Sequence, residues 1–332
     1  MPRLTQTLIP PSQRQPIEAL NEALDLSYGD RMGKRTGFLI MLVLAATIAI
    51  AGVLADSTAT VIGAMIIAPL GTPILGIALG IVTGHLSLVL RSILWVLLGL
   101  AIVVVLGLAF SLFVATPQSL ETNAQVLGRT SPSLMDLVAA LATGFAGGFA
   151  MCRRDLSAIL PGVAISISLV PPLGVVGVTA GQGQWGDALG ALVLFLSNVI
   201  ALVIAGSIVF TMGGYAKDPS SSPVANRRRA YIVVTILALI VALPLAANSI
   251  VTVALARWSV AIQQTAVAWL EHEDGSRVGE VEWTGTTATI DVLTADGRTP
   301  STDDFRDLLD AAVPSFVGVI VDVGQGEEIV VR

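Results

Sequence analysis

Charged residues are scarce in this sequence. Lys, Arg, Asp and Glu make up 13% of its 332 residues, about half the roughly 25% usual in a soluble domain. That scarcity argues against a soluble enzyme. Cysteine is nearly absent, and Cys152 alone excludes a disulfide scaffold. The only histidines, His85 and His272, leave too little for a His-based metal centre or triad. Basic residues are outnumbered 18 to 24, and the net charge of −6 makes nucleic acid a poor partner. No HExxH, GxSxG or GxxxxGK[ST] motif occurs. We therefore expect no enzyme, no cofactor and no metal, and assign no catalytic residue. An apolar fraction of 54% also excludes a disordered chain.

What the sequence does have is long apolar runs, with a mean hydropathy of +0.82. Seven are evident: 36–55, 60–83, 92–115, 134–151, 158–180, 188–212 and 231–256. Each is near the ~20 residues that cross a bilayer as a helix. The last is slightly long, which tilt absorbs. No charge falls at the centre of a run. The expected fold is a polytopic α-helical membrane protein with membrane lipid as its first partner.

Basic residues orient the spans. With the N-terminus in the cytoplasm, the inner segments hold Arg3, Arg14, Arg31, Lys34, Arg35, Arg91, Arg153, Arg154, Lys217 and Arg227–Arg229. The outer loops hold only Arg129, so the balance is twelve to one. This predicts an inner N-terminus and an outer C-terminal domain. Runs 60–83 and 158–180 both carry prolines at mid-depth, and whether they cross fully or re-enter stays open. A re-entrant course would leave five spans and a balance of ten to three.

Residues 1–35 are polar and lack the pattern of a signal peptide. Ile17, Leu20, Leu24 and Tyr28 fall on one face, which predicts a short amphipathic helix on the membrane or on the protein. Residues 257–332 carry fourteen acidic and five basic residues. Val278–Trp283 and Thr286–Leu293 read as strands around a turn at Gly285, with a second turn at Asp296–Gly297. A helix begins at Thr302 and runs to about Ala312, with Phe305, Leu308, Leu309 and Ala312 on one face. Phe316–Val323 and Glu328–Val331 read as further strands, and Trp258–Leu270 as a helix continuing the last span. This is a small α+β domain.

Shifting the sequence by 99 residues superposes 56–73 on 155–172 with six identities. They are Asp56/Asp155, Ala59/Ala158, Gly63/Gly162, Ile66/Ile165, Leu70/Leu169 and Pro73/Pro172. The unit would be spans one to three, repeated in spans four to six. Three is odd, so the copies would be inverted, a common transporter plan in which the middle helix of each copy is broken.

The first broken helix carries Pro69, Gly71, Thr72 and Pro73; the second carries Ser166, Ser168, Pro171 and Pro172. Each proline removes a backbone donor and crowds the preceding turn. Freed backbone groups in lipid must face protein or water. Half-helix ends attract ions through their dipoles. A substrate site for a small solute or ion is therefore expected from these residues, with Asn198 nearby. Asp56 and Asp155 are expected to cap the two helices or to gate the approach. Gly76/Gly80/Gly84, Gly144/Gly148 and Gly186/Gly190 have four-residue spacing, which suits close helix contact within one chain or between copies in a homo-oligomer.

The run DSTATVIGAMIIAPLGTPILG, followed by SLVPPLGVVG, resembles the DUF389 family of bacterial and archaeal membrane proteins. The resemblance covers about 36–212. It implies a multi-span prokaryotic inner-membrane protein that looks like a transporter by architecture, in a family without an established activity. It supplies no substrate and no catalytic residues. Two readings follow. One is a secondary transporter or channel-like protein with its site at the broken helices. The other is a membrane scaffold or sensor whose C-terminal domain binds a ligand or partner. Water at the broken helices separates the two.

Overall fold

The computed structural model describes residues 8–114, 118–156, 169–217, 253–270, 276–284, 287–294 and 302–325, together with helical positions 232, 235, 239 and 243. The chain divides into two compact units, Met1–Ala246 and Ala247–Arg332.

In the first unit the helices longer than one turn are α1 (Ile17–Leu24), α2 (Arg31–Leu54), α3 (Thr58–Ile67), α4 (Gly71–Thr83), α5 (Leu86–Ser111), α6 (Ala124–Thr130), α7 (Leu134–Cys152), α8 (Val170–Gly181) and α9 (Trp185–Met212) among the described residues. Side-chain caps start several of them. Asp30 accepts from the Gly33 amide, Ser57 from Thr60 and Asn123 from Val126, and Ser133 with Asp136 forms a capping box. Among the described residues, α2, α5, α7 and α9 are long and apolar enough to cross a membrane; α3 and α4 together make a fifth, bent by 48°. The bend falls where Ala68 is extended (ψ 125°) ahead of Pro69. Of run 158–180, the structure describes 169–180, and only α8 is helical there. Most of run 231–256 lies outside the described residues.

Two ends of the helical unit differ in chemistry. The N-terminal segment defines the near end. There the Gln15 amide donates to the Cys152 carbonyl (2.9 Å) and the Arg154 amide to Gln13 (2.8 Å). Arg14 donates through Nε to the Gly213 carbonyl at 2.8 Å and stacks over the Tyr215 ring at 4.4 Å. Tyr215 in turn donates to the Gln15 carbonyl at 2.8 Å; burial pushes its phenol up, which keeps it a neutral donor. Arg91 pairs with Asp25 at 2.9 Å. α1 buries Ile17, Leu20 and Leu24 in the bundle core, so the amphipathic segment packs on the protein, and Tyr28 is left exposed. Arg91, Arg153 and Arg154 thus contact the N-terminal segment, and Lys217 lies close to Tyr215 in the chain.

The far end is held by polar side chains. Asn123 donates through Nδ2 to the Val53 carbonyl at 2.8 Å while its Oδ1 caps α6. Gln125 reaches Thr58 at 2.8 Å, and Gln182 donates to the Ser111 carbonyl at 2.7 Å. Asn123 is buried, so Asn123→Ala removes two bonds at once. It is expected to cost about 1–3 kcal/mol, read as a lower thermal midpoint in detergent.

Helix starts repeat at the offset found in the sequence. α4 begins at Gly71 and α8 at Val170; α5 begins at Leu86 and α9 at Trp185. Each short helix is followed by a glycine with positive φ, Gly84 (77°) and Gly183 (79°). Packing is reciprocal. A Cβ on Gly107 of α5 would meet the Gly174 carbonyl and the Gly177 Cα of α8, and one on Gly206 of α9 would meet Leu75 and Ala78 of α4. Gly144 and Gly148 face α9, Gly76 and Gly80 face α5, and Gly190 faces Thr130. Five of the spaced glycines thus meet neighbours within the chain.

The second unit contains β1 (Arg277–Thr284), β2 (Thr287–Thr294), α10 (Thr302–Ala312) and β3 (Gly318–Gln325). β2 pairs with β1 antiparallel and with β3 parallel, the parallel pair being joined through α10. The core joins Ile262 and Ala266 of helix 253–269 to Ala288, Ile290, Phe305 and Val313. On α10 Phe305 is buried, whereas Leu308 and Ala312 are exposed and Val313 takes the inner place, so the apolar face is narrower than the periodicity implied. The strand expected at Glu328–Val331 lies outside the described residues.

Candidate functional site

Val170, Pro171 and Pro172 form the first turn of α8, where a proline loses no intrahelical bond. The Pro–Pro pair therefore opens a helix. Leu169, Val170 and Leu173 are all fully buried, so this helix start lies inside the bundle.

A cavity of about 180 Å³ opens against it. Its walls are Met65 of α3, Gly128 and Arg129 of α6, Asp136 and Ala139 of α7, Pro171 and Pro172 of α8, and Leu194 and Asn198 of α9. Both broken-helix regions therefore contribute. Of the residues expected from the sequence, Pro171, Pro172 and Asn198 line this cavity. Pro69, Gly71, Thr72 and Pro73 do not: Gly71 and Pro73 are buried in packing, and the Thr72 amide donates to the Pro69 carbonyl at 3.2 Å. The first break thus satisfies part of its own backbone. Ser166 and Ser168 lie outside the described residues.

The two aspartates hold other posts. Ser57 caps α3, and Asp56, at φ 48°, accepts instead from the Gln125 amide in the first turn of α6 at 3.1 Å. The cap expected of Asp56 on the broken helix is therefore corrected: the chain turns at Asp56 before the helix begins, which carries its carboxylate across to α6. Asp155 pairs with Arg153 at 2.7 Å, and that donor holds its carboxyl below the usual range. Neither aspartate lines the cavity.

Two charged residues of the cavity were not singled out in the sequence. Arg129 donates through Nη1 to the Gln125 carbonyl (2.5 Å) and to Oε1 of the same residue (3.1 Å). It is half-buried, and that burial lowers its guanidinium from its ordinary value. Asp136 accepts through Oδ2 from the Ser133 amide (2.8 Å) and hydroxyl (2.7 Å). Neither makes an ion pair among the described residues, where the pairs are Lys34–Glu22, Arg91–Asp25 and Arg153–Asp155. The usable signal was an anomaly of charge: Arg129 is the one basic residue that the positive-inside pattern leaves on the wrong side. No group of three or more metal-ligating side chains occurs among the described residues.

Composition and spanning-length helices define a polytopic α-helical membrane protein. Residues 65–204 match the model of DUF389, a domain of unknown function. The chain is also 35% identical over 176 residues to an uncharacterised protein of Methanocaldococcus jannaschii, covering 53% of this chain and 54% of that protein. It thus spans about half the length of that curated relative. No solved structure matches.

Proposed function

We propose that the helical unit is a transporter or channel-like protein of a prokaryotic inner membrane, moving a small solute through the cavity at the start of α8. The observation that carries this reading is the cavity itself. It reaches from charged residues on α6 and α7 to the Pro171–Pro172 helix start within the bundle.

The matching helix starts and the reciprocal glycine packing support an inverted repeat, α2–α5 against α7–α9, as in transporters with broken helices. Basic residues gathered around the N-terminal segment support a cytoplasmic near end. A seventh span at 231–256 would then carry the second unit to the outside. The scaffold reading keeps one observation: Ile320 and Leu293, 54% and 42% exposed, lie on the open face of the small sheet.

Thiol accessibility tests the proposal. In a Cys152→Ser background, Met65→Cys and Leu194→Cys should react with an impermeant maleimide added from the far side. Asp56→Cys and Ser220→Cys serve as controls for the two sides. If both controls react while Met65→Cys and Leu194→Cys stay unlabelled from either side, the cavity is dry and the transporter reading fails.

A further inference from the structure

We infer that this cavity binds a small zwitterionic solute, its anionic group on the Arg129 guanidinium and its cationic group on the Asp136 carboxylate. The inference rests on the solute-site reading above and names the class of solute.

The argument is one of charge. Arg129 and Asp136 line the same cavity, yet no ion pair joins them. The hydrogen bonds of Arg129 use Nη1, which leaves Nη2 and Nε as donors. Those of Asp136 use Oδ2, which leaves Oδ1 as an acceptor. Both charges are fixed from behind. The Gln125 carbonyl and side chain hold the guanidinium, and the capping box holds the carboxylate. Side chains so anchored present a preformed pair of opposite charges at little conformational cost.

A simple anion in this cavity would meet Asp136, and a simple cation would meet Arg129. Only a solute with both charges is matched by both walls. Met65 and Leu194 offer apolar wall for a short carbon skeleton. The volume of about 180 Å³ is below the roughly 300–1,000 Å³ of drug-sized pockets. A short amino acid or betaine is therefore the class that fits.

The test is calorimetric titration of the full-length purified protein with glycine, alanine and glycine betaine, beside acetate and methylammonium as half-ligands. At least one zwitterion should bind tenfold or more tightly than either half-ligand. Arg129→Gln and Asp136→Asn should each weaken it at least tenfold, and Arg129→Lys should retain more affinity than Arg129→Gln. Monodisperse elution of each variant excludes misfolding as the cause. Acetate binding as tightly as the zwitterions, with Asp136→Asn no weaker, would overturn the proposal in favour of a plain anion site. Binding of no probe to a protein whose Leu194→Cys variant is labelled would overturn the solute class and leave the transporter reading standing. A dry cavity would overturn both.

Discussion

A Gly177→Val substitution should prevent the helical unit from folding. An added Cβ at Gly177 would lie 2.7 Å from the Gly107 Cα and 2.9 Å from its carbonyl carbon. From the other side, a Cβ at Gly107 would lie 2.7 Å from the Gly174 carbonyl oxygen and 2.8 Å from the Gly177 Cα. These are backbone atoms, so no rotamer change relieves the clash. α5 and α8 must move apart, and with them Val103, Val175 and Val178, all fully buried at this contact. A radial gap of ~0.5–1 Å already forfeits a quarter to a half of the dispersion energy across the interface. Overpacking typically costs about 1–3 kcal/mol where side chains can yield, and backbone against backbone belongs at or above that upper end. In lipid no hydrophobic force pulls the helices back together. The expected result is aggregation in detergent on size-exclusion chromatography. Gly186→Val, where a Cβ meets open space, should elute as the wild type. A monodisperse Gly177→Val protein with an unchanged thermal midpoint would refute the packing argument.

The second large effect is expected at the near end. Arg14→Ala removes a charge-assisted hydrogen bond to the Gly213 carbonyl and the stack over Tyr215. The hydrogen bond contributes about 1.5–3 kcal/mol and the stack about 0.5–2 kcal/mol; the two share one side chain, so the lower sum is the safer expectation. Loss of this clamp loosens the segment whose Gln15 amide bonds the Cys152 carbonyl. Cys152 is the only thiol, is fully buried and therefore reports on the clamp directly. Wild-type protein should label slowly with a permeant maleimide, Arg14→Ala much faster and with a lower thermal midpoint. Equal labelling rates and equal midpoints would mean that the N-terminal segment is held by the burial of Ile17, Leu20 and Leu24 alone.

The substitutions at Gly177 and Arg14 probe features that differed in how readable they were. Arg14 could be counted as a basic residue near the first span, but its partners lie some 200 positions later, at Gly213 and Tyr215. The span positions were plain, because 20-residue apolar runs bounded by charge have few alternative structures in lipid. The break in the first run was plain as well, since a proline inside an apolar run leaves a mark on the backbone whatever surrounds it. The consequences of the prolines were not. Pro69 stands at the 48° bend between α3 and α4, while Pro73, like Pro171 and Pro172, falls in the first turn of a helix.

The amino-acid sequence by itself determined the membrane class, the long apolar helices, the 99-residue offset and the small sheet with its helix near the C-terminus. Only the tertiary structure decided which faces meet, and so brought Arg129 and Asp136 to the same cavity as Pro171, Pro172 and Asn198. The physical reason is that these spanning helices are apolar nearly all round. Their periodicity carries little information about which face turns inward. Small residues that let one backbone approach another set the pairing instead. Gly107 against Gly177 and Gly144 beside Ala205 are such contacts, and a pairing of this kind is a property of two helices together that neither sequence segment displays alone.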